Sequence, residues 1–283
     1  MRAAHMRQHE HGQGEGAVKP GELVRAAFVD GASPSTAARK AFVLLLARAA
    51  GDAWQDRWFS ISKAELRGSH QSTDRLQDVM DELLRTLLRV RVKSEIGGPD
   101  DVLTGAIVSD CKLSVSEDAR ALVRWRFSEA MREVLRRSDH YAELRTQVVA
   151  ALESRYSVTL YEIGCMYYRR QHQVWTVTQN EFRERTGVPE SYRDWTDIER
   201  RTLIAAKKEL DHLAPFTMDW KVVKRRGRAV EVLAISFTPK DSEARLASET
   251  ELHRSRVGRK ARRDGAVETI KPLPGLLAPS TKA

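Results

Sequence analysis

The sequence predicts an α+β chain built from two copies of one unit: a helix, a strand, two further helices and a closing β-hairpin. Three observations predict it. A divergent repeat sets Phe59-Ser60-Ile61-Ser62-Lys63-Ala64-Glu65-Leu66-Arg67 against Trp175-Thr176-Val177-Thr178-Gln179-Asn180-Glu181-Phe182-Arg183. A long apolar stripe of helical period follows each copy. After the second copy, two alternating segments flank a basic turn that contains a glycine.

Apolar sequence over 35–50, and again over 148–168, supplies the first helix of each unit. The aligned segments then alternate, with Phe59 and Ile61, or Trp175 and Val177, on one face, as half-buried strands do. Each strand runs into a Ser/Thr-x-x-Glu sequence. The hydroxyl of Ser62 or Thr178 can accept from a first-turn amide while Glu65 or Glu181 reaches back, a capping box that starts a short helix. A longer amphipathic helix comes next. Over 72–88 its stripe is Leu76, Val79, Met80, Leu83, Leu84 and Leu87; over 196–213 it is Ile198, Leu203, Ala206, Leu210 and Leu213. Strands at 216–223 and 229–237 close the second unit. Between them, Gly227 can take the positive φ that a tight turn needs.

That order is the order of a winged-helix domain, so the expected fold class is α+β with two tandem winged helices. A generic α+β domain is the competing reading. The expected boundaries are a disordered Gly/His/Gln-rich segment over 1–20, a first domain over 21–146, a second over 147–239 and a flexible basic tail over 240–283.

Lys and Arg number 48 against 39 Asp and Glu, a net charge of +9 that favours a polyanionic partner without naming one. The two cysteines, Cys111 and Cys165, are too scattered for a structural zinc cluster and read as small buried hydrophobes. No metal or cofactor is expected. No apolar run approaches the ~20 residues of a membrane span. Residues 1–15 lack the apolar centre of a signal peptide. A reducing, cytoplasmic setting is therefore expected.

The chemistry concentrates in the second unit. Opposite its apolar stripe, the helix over 196–213 carries Asp197, Arg200, Arg201, Ile204, Lys207, Lys208 and Asp211. Arginine can bond guanine O6 and N7 in the major groove, and Ile204 could touch a thymine methyl. A solvated charged face is the plainer alternative. The hairpin weighs against it: Lys221, Lys224, Arg225, Arg226 and Arg228 crowd like charges together, which a wing on a phosphate backbone would need. Ser191, Tyr192 and Arg193, in the loop before the helix, are common phosphate ligands. The first unit differs, because Asp74, Asp78 and Asp81 make its long helix acidic. Its expected DNA contacts are at the start of that helix, Ser69, Gln71, Ser72 and Arg75. The run 254–263 holds six basic residues and no acid, as a DNA-attracting or a merely solubilising tail would.

Enzyme readings find little support. There is no glycine-rich phosphate loop. A nickase needs a histidine pair with its tyrosine nucleophile, and near Tyr167 and Tyr168 stands only His172.

Residues 154–162, Ser-Arg-Tyr-Ser-Val-Thr-Leu-Tyr-Glu, resemble the signature that opens the second domain of the theta-type plasmid replication initiators, the initiator Rep family. The similarity continues through Phe182-Arg183, Gly187-Val188, Tyr192, residues 197–201, residues 205–210 and Ile235-Ser236-Phe237. Residues 21–28 resemble the family's opening segment more loosely. The resemblance implies tandem winged helices that bind repeated origin DNA (iterons) as monomers. It implies a second domain that reads the major groove, and a first that covers the rest of each repeat and mediates dimerisation. It further implies dimers that repress their own gene, and recruitment of the host replication initiator and helicase. A transcriptional repressor of the same architecture is the alternative. The tail after Lys240 departs from the minimal family pattern.

Overall fold

The computed structural model describes residues 16–29, 33–67, 74–94, 96–116 and 118–265. The first half holds β1 (Gly16–Pro20), α1 (Gly21–Val24), β2 (Ala27–Phe28), α2 (Thr36–Ala49), β3 (Phe59–Ser62), α3 (Lys63–Arg67) and α4 (Asp74–Arg85). It continues with β4 (Leu87–Val92), β5 (Asp101–Ala106), β6 (Val108–Leu113), β7 (Leu122–Phe127), α5 (Glu129–Arg137) and β8 (Tyr141–Arg145). The second half holds α6 (Thr146–Ala151), α7 (Arg155–Tyr167), β9 (Val174–Thr178) and α8 (Gln179–Thr186). Next is α9, a single helix in three parts: Trp195–Ile198, a π-helical Glu199–Ile204 and Ala205–Leu213. The chain then forms β10 (Phe216–Arg226), β11 (Ala229–Pro239), α10 (Ser242–His253) and α11 (Arg259–Arg263).

Two winged helices follow each other. The first is α2-β3-α3-α4-β6-β7, with antiparallel sheet order β3-β7-β6; the second is α7-β9-α8-α9-β10-β11, with order β10-β11-β9. Both capping boxes form. The Glu65 amide donates to Ser62 Oγ at 3.1 Å, and the Ser62 amide to Glu65 at 3.1 Å. The corresponding distances at Thr178 and Glu181 are 3.2 and 3.3 Å. A glycine is required where α7 crosses its sheet, since a Cβ on Gly164 would stand 2.3 Å from the Phe216 ring.

One apolar core runs through both halves, from Leu46, Met80 and Trp125 to Tyr161, Phe182 and Phe237. Across the junction, Lys19 Nζ meets Glu162 at 2.8 Å, both side chains buried. Burial lowers the Lys19 pKa while the carboxylate holds it up.

The structure departs from the sequence expectations in five places. First, Gly16–Pro20, expected in a disordered segment, is a buried strand paired with β8, because Ala17 and Val18 find apolar cover and Lys19 finds Glu162. The rest of that segment, 1–15, lies outside the described residues. Second, the helix expected over 148–168 is two. Ser154 caps α7 by accepting from the Tyr156 amide at 3.1 Å, and the Glu153 amide is met by the Glu209 carboxylate at 2.7 Å. Third, α4 stops at Arg85. Leu87 to Val92 alternate out and in, and pair as a strand with β2 and β5 to make a separate inserted sheet. Fourth, the wing is longer than expected. Lys224 to Arg226 are strand, and the turn is Gly227-Arg228 alone, with Gly227 at φ 60°. Fifth, the expected flexible tail contains α10 and α11, packed on α9 and α6. Glu251, only 4% exposed, gathers Arg262 at 2.8 Å, Arg259 at 3.3 Å and His212 at 3.6 Å. Half of the basic run, Arg254, Arg259 and Arg262, is thus spent on one carboxylate. Residues 266–283 lie outside the described residues.

Cys165 is buried and its thiol is pushed up to about 12 by that burial; the half-buried Cys111 rises to about 11 for the same reason. Both are inert as thiolates near neutral pH. Among the described residues no three or more His, Cys, Asp or Glu gather as a metal site, and no helix is long and apolar enough to cross a membrane. Tyr167 stacks on Phe237 and Tyr168 leans on Phe216, both at the edge of the second core.

Candidate nucleic-acid interface

The α9 stripe does what its period demands. Ile198, Leu203, Ala206, Leu210 and Leu213 are buried, which leaves Arg200, Arg201, Ile204 and Lys208 exposed on the other side. The helix is tied down on its flank. Trp220 Nε1, on the wing strand β10, donates to Glu199 at 2.8 Å. Lys207 Nζ donates to the Met218 carbonyl at 2.6 Å and pairs with Asp211 at 2.8 Å, while Asp211 accepts from the Met218 amide. Lys207 and Asp211 therefore stitch helix to strand, and Lys207 is half-buried rather than free on the outer face. The helical period alone could not reveal this, because the Met218 backbone arrives from another element.

Asp197 holds both arginines, Arg200 at 2.8 Å and Arg201 at 3.6 Å. Arg201 also lies over the Tyr192 ring, 4.8 Å from its centroid. Ser191 and Arg193 are exposed on either side of Tyr192. The loop that carries them is fixed by Arg183 of α8. Its guanidinium donates to the Pro189 carbonyl at 3.1 Å and to the Tyr192 carbonyl. Sequence reading took Arg183 only as part of the internal repeat and of the family pattern.

Facing this helix is the wing. Lys221, Lys224, Arg225, Arg226 and Arg228 are all exposed. Lys224 has a cross-strand partner, Glu231, at 3.0 Å. Register shifts on either side of Lys224 break the alternation there. Such bulges increase strand twist and re-aim side chains. Helix and wing enclose an open cleft of about 660 Å³, lined on the helix side by Asp194, Asp197, Glu199 and Arg200 and on the wing side by Arg225 and Arg228.

The first winged helix is unlike the second. Arg75 is exposed near the start of α4, whereas Ser69, Gln71 and Ser72 lie outside the described residues. Further along, Asp81 takes Gln77 at 2.8 Å and Arg85 at 3.8 Å, and Asp78 is exposed. The helix that corresponds to α9 thus presents Asp78 and Asp81 as well as Arg75 and Arg85, a mixed face rather than a basic one.

Residues 17–165 match the family model described as Initiator Replication protein, WH1, and residues 178–239 match Initiator Rep protein, WH2. Helices α10 and α11 lie beyond both ranges. A crystal structure of Pi initiator protein in complex with iteron DNA is similar in fold, with a TM-score of 0.59 and 15% sequence identity, over 82% of this chain and 100% of that one. Comparison with curated proteins gives no match. The two matched ranges take in most of the chain, leaving out residues 166–177 between them, and the chain belongs to the initiator Rep family of replication initiator proteins.

Proposed function

We propose that this protein starts plasmid replication by binding repeated origin DNA, with no catalytic step of its own. The observation that carries the reading is the pairing of an arginine-bearing α9 face with a basic wing across one open cleft. A winged helix places such a helix in the major groove. Arg200, Arg201 and Ile204, with Asp197 beside them, would meet base edges, and Lys208 a flanking phosphate. Lys221, Lys224, Arg225, Arg226 and Arg228 on the wing would meet phosphates, as would Ser191 and Arg193, whereas the Tyr192 side chain is turned to Arg201. Lys207 is not in this set, since its ammonium is committed to Met218 and Asp211. The relative named above was solved on iteron DNA, which supports the same class of target here.

The first domain, through Ser69, Gln71, Ser72 and Arg75, would contact the remainder of each repeat. It would also mediate dimerisation, with dimers repressing the protein's own gene, and the bound monomers would recruit the host initiator and helicase. These parts rest on family membership.

The test is a DNA titration at two salt concentrations, with the repeat-bearing DNA beside the gene against scrambled DNA. Tight binding that requires the repeats is expected, and it should weaken steeply with salt because phosphate contacts release counterions. Equal affinity for both DNAs would overturn the reading.

A further inference from the structure

This inference rests on α9 as the reading helix. Arg200 and Arg201 are adjacent, yet they are held differently. Arg200 is 64% exposed and its guanidinium turns to Asp197. Arg201 has two neighbours: Asp197 lies 3.6 Å from its Nε, and the Tyr192 ring centroid lies 4.8 Å from its guanidinium carbon. The Tyr192 hydroxyl, and then Asp197, hold the Arg201 pKa above its ordinary value. Tyr192 in turn neighbours Tyr156, whose hydroxyl accepts from Arg155 Nη2 at 3.1 Å.

The ring has a fixed base. Gly187, at φ 68°, ends α8, and the Gly187 and Val188 amides both return to the Arg183 carbonyl, at 2.8 and 3.0 Å. The Tyr192 amide donates to the Pro189 carbonyl at 3.1 Å, and Arg183 grips the carbonyls of Pro189 and Tyr192. An arginine that must present two parallel N–H groups to one guanine gains from losing its freedom beforehand, and a stacked aromatic ring takes that freedom while leaving the N–H edge open.

We propose that Tyr192 is a positioning residue that stacks beneath Arg201 and pre-sets it as the base reader, whereas Arg200 is the exchangeable arginine that leaves Asp197 for the DNA. The ring contact carries the positioning, and the hydroxyl adds to the stabilisation of the guanidinium charge.

The experiment measures affinity for repeat DNA over scrambled DNA in the full chain, with Tyr192→Phe, Tyr192→Ala, Arg201→Ala and the double variant Tyr192→Ala/Arg201→Ala. Thermal unfolding of each variant separates loss of fold from loss of reading. Tyr192→Phe should keep the ratio within about twofold, and Tyr192→Ala should cut it about tenfold with scrambled-DNA affinity little changed. The double variant should fall no further than Arg201→Ala, since both changes remove one reading contact. The inference is overturned if Tyr192→Phe loses as much as Tyr192→Ala, or if the two losses multiply in the double variant. A wild-type protein with no preference for the repeats would overturn the reading of α9 and this inference together. A preference that survives Tyr192→Ala would overturn the inference alone.

Discussion

Asp197 shows how a single side chain can work against the charge of its own surface. It sits in the first turn of α9, in the cleft, and occupies Arg200 and Arg201 together. Exposed ion pairs of this kind contribute ~0–1 kcal/mol, so DNA can displace the carboxylate cheaply. The carboxylate also repels phosphate and makes loosely placed DNA less favourable. Asp197→Asn is therefore expected to tighten binding to scrambled DNA by roughly threefold, about 0.6 kcal/mol, and to narrow the preference for the repeats. Weaker binding to scrambled DNA by this variant, in the same titration, would contradict that role. The candidate arginines were legible from helical period alone, because 100° spacing sorts a helix into faces. The commitment of Lys207 to the Met218 carbonyl was not, since a backbone acceptor leaves no mark in the sequence.

The C-terminal helices carry the largest departure from sequence expectation at the level of elements. A run of six basic residues reads as a free tail when its counter-charge is out of sight. Glu251 stands on α10, several residues before the run, and its acceptor oxygens fold the run back through Arg259 and Arg262. Lys240 fastens the start of this unit, donating to the Asp211 carbonyl at the end of α9 and to Ser248, each at 2.6 Å. Removing Glu251 leaves partly buried guanidinium groups uncompensated, so Glu251→Gln is expected to cost about 2–3 kcal/mol, read as a lower Tm. Its pH dependence has a definite sign. Hydrogen bonds from Arg262, and then Arg259, hold the carboxyl below its ordinary 4.5. The contribution is thus full above about 4.5 and is lost as pH falls through the lower folded value. The Tm gap between wild type and Glu251→Gln should narrow on acidification below that point. A gap constant with pH would contradict the charge argument. The capping boxes, by contrast, were legible in full, because each bond joins residues three apart.

At the scale of the whole molecule, the two winged helices are joined by a buried ion pair and a shared core. Lys19 and Glu162 lie far apart in sequence, and neither has a local reason to be buried, so the pair was illegible until β1 was placed. Truncating one member strands the other, and Lys19→Met is expected to cost about 3–5 kcal/mol in denaturant unfolding. Lys19→Met/Glu162→Leu together should recover much of that loss, and no recovery would contradict the pairing. The domain order was legible because the same unit is written twice. The inserted β4–β5 sheet was not, since it has no counterpart in the second copy. The central claim is a division of labour across the second domain, with α9 for sequence and the wing for phosphate. It is tested most directly by comparing Arg200→Ala/Arg201→Ala with Arg225→Ala/Arg226→Ala in one titration across salt. The helix pair should lose ~1–3 kcal/mol per reading contact on repeat DNA and most of the preference over scrambled DNA. The wing pair should weaken both DNAs alike and flatten the salt slope by about two phosphates' worth. Specific affinity left intact by the helix pair, or preference lost through the wing pair, would contradict the account.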